Sequence, residues 1–319
     1  MSTPPSVRIA HLSDVHLPLT GSLPWRMLNG KRVLGWLNWQ RKRRVIHTRT
    51  AVDAIIADLK QQAPDHILIS GDLINIGLPD EYETALAWLT SVGSPQHVSL
   101  VPGNHDTYVP AQAVPGLALW GAYMSDDAFG RALAIPRVDQ FGLRFPYVRR
   151  IGQVAIIGVN SGIATPPGSA AGEVGAAQLS ALGQILKATA DLGLVRLVMI
   201  HHPPLPGLAS GNRALIDRAA FAVMLDHYGA ELVVHGHNHT MTRITHAGAA
   251  IQGVASASAA RTNGPEPRAR YNVMTFRWDA GKFSVEIETR SFDGPTNTVK
   301  TISRDQLLLK HVIHEATYL

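Results

Sequence analysis

Short apolar runs recur along the first 240 residues, and most of them end in a cluster of His, Asp or Asn. Val7-Arg8-Ile9-Ala10-His11-Leu12 reads as a first strand and passes into Ser13-Asp14-Val15-His16. His66-Ile67-Leu68-Ile69-Ser70 reads as a second and delivers Gly71-Asp72. A third, His97 to Val101, leads into Pro102-Gly103-Asn104-His105-Asp106. Later, Arg196 to Ile200 ends in His201-His202-Pro203-Pro204, and Leu232 to Val234 runs through His235 to Gly236-His237-Asn238-His239. Between these strands the apolar spacing changes to that of helices. Ala51, Ile55 and Leu59 predict one from about Arg49 to Gln62, and further helices are expected from about Asp80 to Ser91, Ala176 to Leu192 and Arg213 to Tyr228. The second of these opens with acids in its first turn, as the helix dipole favours.

Other stretches follow a different pattern. Tyr147 to Ile151 and Gln153 to Asn160 predict a hairpin turning at Gly152, and Ser161 to Val174 a Gly/Pro/Ala-rich loop. Residues 107–146, with scattered proline and glycine and one helix around Leu117 to Met124, read as a long cap or loop region. After His239 the helices stop. Thr242 to Thr245, Ala249 to Gly253, Tyr271 to Trp278 and Phe283 to Arg290 alternate as antiparallel strands. The early strand-helix-strand order argues an α/β fold, and the late run of strands argues a second sheet packed on the first. One domain over 1–319 is expected, with an insertion at 21–47 and the irregular cap at 107–146.

Composition narrows the chemistry. With no cysteine in 319 residues, thiolate metal sites, disulfides and cysteine nucleophiles are excluded. Any metal is then held by His, Asp, Glu or Asn, and imidazole with carboxylate suits Zn, Fe or Mn. Met1-Ser-Thr-Pro-Pro leads almost directly into the first strand without a charged or apolar leader, and no apolar run approaches the roughly 20 residues that span a bilayer. A cytoplasmic protein is the expectation.

Asp14-x-His16 puts two donors on one side of an extended segment, and His237-x-His239 does the same with two imidazoles. The prolines after His202 forbid further strand or helix there, leaving His201 displayed at a strand end. An open α/β sheet binds ligands beyond the carboxyl ends of its strands, so the five clusters gather along one edge. They read as a two-metal hydrolytic site. His11, His202 and His235 are assigned to packing or to hydrogen bonds behind the ligands, and His47, His66, His97, His227, His246, His311 and His314 to surface or core.

In this order, Asp14-x-His16, Gly71-Asp72, Gly103-Asn104-His105-Asp106, His201 and Gly236-His237-x-His239 resemble the motifs of the calcineurin-like metallophosphoesterase superfamily. The resemblance implies a four-layer fold, a β-sandwich of two mixed sheets flanked by helices. It implies one metal held by Asp14, His16, Asp72 and His239 and a second held by Asp72, Asn104, His201 and His237, with Asp72 bridging. His105 would contact the phosphate and assist the leaving group, with Asp106 orienting it. Two divalent cations about 3.5–4 Å apart clamp a phosphoryl oxygen and convert a shared water to hydroxide near neutrality. Asn75 stands where purple acid phosphatases carry a tyrosine, and Gly-Asp-Leu-Ile-Asn-Ile-Gly departs from the GDxVDRG of protein Ser/Thr phosphatases. What remains is similar to bacterial phosphodiesterases of the class III cyclic-nucleotide and glycerophosphodiester type. A phosphodiester substrate is expected, a small or cyclic nucleotide or a glycerol-type diester.

Charge singles out one segment that no motif explains. Between Asp14 and Asp53 stand Arg26, Lys31, Arg32, Arg41, Lys42, Arg43, Arg44 and Arg49 with no acid among them, alongside Trp25, Trp36 and Trp39. Residues 21–47 read either as a cap whose tryptophans pack on the body or as a peripheral contact with the inner membrane, aromatic rings at headgroup depth and cations toward anionic lipid. The second reading carries an alternative function, a lipid-acting phosphoesterase of phospholipase C or pyrophosphatase type. Nucleic-acid backbone binding ranks below both. A non-catalytic scaffold, the remaining alternative, has no need of a full ligand set.

Overall fold

A computed structural model describes residues 6–19, 27, 30–110, 116–279 and 282–309. In chain order its elements begin with β1 (Ser6–Leu12), α1 (Gly30–Asn38), α2 (Arg44–Ile46), α3 (Arg49–Gln61), β2 (His66–Ile69), α4 (Pro79–Val92) and β3 (Val98–Leu100). The middle of the chain supplies α5 (Ala128–Ala132), β4 (Val138–Gln140), β5 (Leu143–Phe145), β6 (Tyr147–Ile151), β7 (Val154–Gly158), α6 (Ala176–Asp191) and β8 (Val195–Met199). The last part supplies α7 (Arg218–Tyr228), β9 (Leu232–His235), β10 (Thr242–His246), β11 (Ala249–Gly253), β12 (Arg270–Asp279), β13 (Lys282–Asp293) and β14 (Thr298–Leu309). Among the described residues no helix is long and apolar enough to cross a membrane.

Two six-stranded mixed sheets result, in the orders β14-β13-β12-β1-β2-β3 and β10-β11-β9-β8-β7-β6. In the first, β1, β2 and β3 run parallel and β12 to β14 antiparallel; in the second, β7, β8, β9 and β11 run parallel. One core holds side chains of both sheets, among them Ile9, Leu68 and Met274 from the first and Ile156, Leu197 and Val234 from the second. The other face of the second sheet packs Ile157, Val198 and Val233 against Leu182, Ile185 and Leu186 of α6 and Phe221 and Leu225 of α7. On the first sheet's side, α3 buries Val52, Ile55, Ile56 and Leu59, and its Thr48 cap accepts the Ala51 amide at 3.3 Å. The α/β sandwich of two mixed sheets with flanking helices is therefore as expected.

Three readings of the late and middle chain need correction. The strands after His239 do not form a sheet of their own: β10 and β11 complete the second sheet, while β12 pairs with β1 and carries β13 and β14 into the first. Strand β14 is absent from the sequence reading because, as an edge strand exposed along most of its length, Thr-Val-Lys-Thr-Ile-Ser-Arg-Asp has no buried face to impose alternation. The helix expected from Arg213 starts only at Arg218, after a single tight turn at Gly211–Arg213.

Residues 116–146 close the end of the sandwich where the edge strands β3 and β6 meet. Trp120, Tyr123 and Met124 are buried there, Trp120 donates to Tyr82 O at 3.0 Å, and Arg149 on β6 reaches Val98 O of β3 at 2.8 Å and Ser125 O at 2.8 Å. This stretch covers sheet edges, and none of it lines the clefts described below. Of the expected cap at 107–146, residues 116–146 are in this sense an edge cover; residues 111–115 lie outside the described residues, as do 21–26, 28 and 29 of the basic segment.

Candidate functional site

Every expected site residue follows the carboxyl end of a parallel strand. Asp14 and His16 follow β1, Asp72 follows β2, and Asn104, His105 and Asp106 follow β3; His201 follows β8, and His237 and His239 follow β9. The two sheets thus contribute from opposite sides. Asp14, His16, Asp72, His237 and His239, five of the seven expected ligands, hold positive φ of 41° to 68°. Such conformations cost about 1–3 kcal/mol each for residues with a side chain and persist where surroundings enforce them. Here the enforcement is visible. The amides of Asp14 and His16 bond to Gly71 O at 3.0 Å and Asp72 O at 2.9 Å, and Ser256 and Ser258 hydroxyls hold Asp14 O at 2.7 and 3.2 Å. A methyl group on Gly103 would strike the Asp72 carboxylate, and one on Gly236 would strike Ser13 and Asp14, so both turns require glycine.

The imidazoles show a shared orientation. His16 Nδ1 lies 3.2 Å from Ile74 O, His201 Nδ1 2.6 Å from Ser70 O and His237 Nε2 2.8 Å from Arg213 O. A carbonyl oxygen only accepts, so each of those nitrogens carries the proton and the other ring nitrogen is bare. His239 Nδ1 faces Glu266 Oε2 at 3.4 Å in the same way. The opposite ring nitrogens converge: His16 Nε2 and His239 Nε2 are 3.3 Å apart, and His201 Nε2 and His237 Nδ1 are 3.2 Å apart. Nitrogens sharing one metal at about 2.0–2.1 Å stand about 2.8–3.0 Å apart in an octahedral shell and about 3.3–3.4 Å apart in a tetrahedral one.

Oxygen donors complete both pairs. Asp14 Oδ1 lies 3.2 Å from His239 Nε2 and 3.9 Å from His16 Nε2, buried and without a hydrogen-bond donor. Asn104 Oδ1 lies 2.9 Å from His237 Nδ1 and 3.2 Å from His201 Nε2. Asp72 stands between them, with Oδ2 3.9 Å from His16 Nε2 and 3.5 Å from His201 Nε2. Its other oxygen, Oδ1, accepts the His105 amide at 2.8 Å.

Electrostatics agree that this place favours cations. Burial pushes the Asp72 carboxyl up to about 7, against the pull of His201 and with the help of Asp14 and Asp106. Burial alone would lower the His239 imidazole, yet Asp14 and Glu266 beside it raise it to about 9. Several clusters of three acids or imidazoles here bring donor atoms within 4.8 Å of one another, so the residues present fit divalent metals.

Asp106 does something other than orient His105. Its buried carboxylate accepts the amides of Asp72 at 2.7 Å, Leu73 at 2.9 Å, Ile74 at 3.3 Å and Gly103 at 2.8 Å, binding the β2 and β3 loops together. His105 is oriented by Asn75, whose carbonyl takes Nδ1–H at 2.5 Å, and by Tyr108, on which its ring stacks at 5.7 Å. Glu81, at the start of α4, in turn accepts the Asn75, Ile76 and Leu78 amides. His202 has both ring nitrogens engaged, by Ser161 and Ala170, and His11 and His235 bond to Ser70 and Gly236.

Sequence reasoning missed several residues of the site. Glu266 backs His239, and His47, taken as surface or core, stands edge-on to His16 at 4.9 Å and lines the cleft. Arg43, counted among the membrane-facing cations, turns inward to line the same cleft with Asn38 and Arg213. Glu266 sits in an irregular loop with no strand to announce it; for Arg43 and His47 the only signal was their place soon after Asp14-x-His16.

A family model for calcineurin-like phosphoesterases matches residues 7–241. The chain is 30% identical over 194 residues to glycerophosphodiester phosphodiesterase GpdQ of Enterobacter lignolyticus, a stretch covering 57% of this chain and 59% of that protein. A further 53-residue stretch is 42% identical to a probable cyclic nucleotide phosphodiesterase of Synechococcus, covering 17% of this chain and 20% of the other. The matches thus span less than two thirds of either relative. Among solved structures, a dimetal phosphatase from Danio rerio superposes with a TM-score of 0.61 at 16% identity, covering 93% of this chain and 98% of the other.

Proposed function

Because the chain belongs to the calcineurin-like phosphoesterase family, we propose that it is a phosphodiesterase that uses two divalent metals, of the Mn, Fe and Zn class, on a small diester. The observation that carries this reading is the pair of imidazole nitrogens that converge to 3.2–3.3 Å in each half of the site, with a carboxylate or amide oxygen beside each pair, an arrangement that suits a shared cation. Asp14, His16, Asp72 and His239 would hold one metal, and Asp72, Asn104, His201 and His237 the other. When bound, such a pair supplies Lewis-acid polarisation of the phosphoryl group and a nucleophile at neutral pH.

The chain's own residues then do the following. The Ile74, Ser70 and Arg213 carbonyls and Glu266 fix each imidazole's tautomer, and Asp106 holds the Asp72 turn in register with the Asn104 turn. His105 belongs to neither ligand set; with Nδ1–H given to Asn75, its Nε2 is the atom left to carry a proton to the departing alkoxide. Arg43, 3.5 Å from the His105 ring, adds positive charge where the diester's oxygens arrive.

The cleft also bears on the lipid-acting alternative. Exposed Arg41, Lys42 and Arg44 beside exposed Leu34 and Val45 support a membrane contact by this segment. The space next to the ligands, however, carries Lys31, Lys42, Arg43, Arg213 and several asparagines beside an apolar wall of Leu34, Trp39 and Tyr108, which supports a diester with a charged or polar arm. The test is elemental analysis together with hydrolysis of bis(p-nitrophenyl) phosphate and p-nitrophenyl phosphate. Two metals per active chain, loss of both in Asp72→Ala and preference for the diester are expected; active enzyme with one metal or none, or preference for the monoester, would overturn the reading.

A further inference from the structure

Beside the metal cleft lies a second cavity of about 320 Å³, which shares Asn38, Arg43, Asn104, His105, Ala170 and Arg213 with it. Among the described residues its charged lining consists of Lys31, Arg43 and Arg213, with no carboxylate facing it. Among the described residues none of the three lies within ion-pair distance of an acid. Two of them, Lys31 and Arg43, are half-buried. Withdrawing an unpaired cation from water is costly unless a ligand supplies the opposite charge.

Each of the three is also held in place. Lys31 Nζ donates to Thr165 O at 2.7 Å and to Thr165 Oγ1 at 3.1 Å and lies 4.4 Å over the Tyr108 ring, which leaves one of its three N–H groups for a ligand. Burial lowers its ammonium to about 8, a strain that an anion relieves. Arg43 is delivered by a wide helical turn over Trp39–Arg43 that follows α1, the kind of one-turn expansion found at functional sites. Its Nη1 lies 3.5 Å from a His105 nitrogen already bonded to Asn75, so its donors remain available. Arg213 Nη2 is anchored on His237 O at 3.0 Å. Leu34, Gly35, Trp39 and Tyr108 give the cavity an apolar wall for a carbon skeleton.

We propose that this cavity binds a second phosphate carried on one arm of the diester, held by Lys31, Arg43 and Arg213 while the scissile phosphate lies over the metal ligands. The inference rests on the phosphodiesterase reading and specifies its substrate class. An uncharged glycerol arm makes no ion pair with the three cations, and a choline-type arm is repelled by them. A terminally phosphorylated arm could come from a lipid headgroup or from a nucleotide, and the chemistry of recognition is the same.

Two matched pairs of substrates test this with the metal-loaded full chain: glycerophosphoglycerol with and without a terminal phosphate, and the dinucleotide ApA with and without a 5′-phosphate. The phosphate is expected to raise kcat/KM by about tenfold or more in at least one pair, since a charge-assisted bond is worth that much, and the responding pair identifies the source. Lys31→Gln, which keeps a donor toward Thr165, and Arg213→Gln at the rim should each shrink that ratio severalfold, chiefly through KM. A ratio near one in both pairs, or a ratio that survives both substitutions in proteins with native melting curves, overturns the proposal. If the loaded enzyme hydrolyses no diester at all, it is the phosphodiesterase reading that fails. Calorimetric binding of glycerol 3-phosphate to the native chain and to Lys31→Gln then decides the cavity, about tenfold weaker binding in the variant supporting it and equal affinity overturning it.

Discussion

Asp106 and His105 are neighbours whose jobs the fold separates. The carboxylate is spent on four backbone amides of two loops, while the imidazole, held by a carbonyl and a tyrosine ring, faces the cleft. Burial and the nearby Arg43 guanidinium hold that imidazole well below its ordinary range, so Nε2 gains its proton only once the anionic diester lies beside it. If His105 delivers a proton to the leaving group, His105→Ala should slow an alkyl or phenyl diester by about 100-fold or more, the range for a lost general acid. Bis(p-nitrophenyl) phosphate, whose leaving group departs unaided, should lose less than tenfold. Equal losses on both, with metal content unchanged, would assign His105 to charge stabilisation alone.

At the scale of elements, α1 is a wall of the site. Arg32 bonds to the Ile76 and Gly77 carbonyls on the loop that carries Asp72 and Asn75, and Tyr108 OH donates to Lys31 O at 3.0 Å. Gly35 permits the approach: a Cβ there would strike the Tyr108 hydroxyl and come within 2.7 Å of Ile76 Cγ2. Gly35→Leu is therefore expected to lift α1 at a cost of about 1–3 kcal/mol, as overpacking does. Diesterase activity should fall while both metals stay bound, since no ligand lies on α1. Metal analysis beside kinetics checks this, and loss of metal would show that α1 supports the ligand loops as well. The basic, Trp-rich composition of this segment was plain in the sequence, but composition does not say which way a helix faces.

For the molecule as a whole, the site is where the two sheets meet. Asp14, His16, Asp72 and Asn104 come from the first, and His201, His237 and His239 from the second. A ligand bound only by the native state adds about 2.7 kcal/mol at 100 times its dissociation constant. Two metals held this way should raise the melting temperature by roughly 5–15 °C in a chain of this length. Chelation followed by calorimetry checks it. A midpoint that does not move on removal of two measured metals would mean that the sheets pack without help from the site.

Strands β1, β2, β3, β6, β7, β8 and β9, helices α3, α4 and α6, the polar clusters that follow the parallel strands and the absence of thiol chemistry were legible in the sequence, whereas α1, α2, α5 and the β4–β5 pair were not. Local rules suffice there: a buried strand needs an apolar run, its end needs a turn, and polar residues placed in that turn gather with those of the neighbouring strand ends. Only the tertiary structure decided the rest. Strand β14 is invisible because an exposed edge imposes no pattern, and the fate of β12 depends on its pairing with β1, some 260 residues away in the chain. The work of Asp106, the backing of His239 by Glu266 and the inward turn of Arg43 depend on contacts between segments 27 to 62 residues apart. A residue's type states what it can bond to, whereas its partner is settled by which distant loop the packed sheets bring within 3 Å.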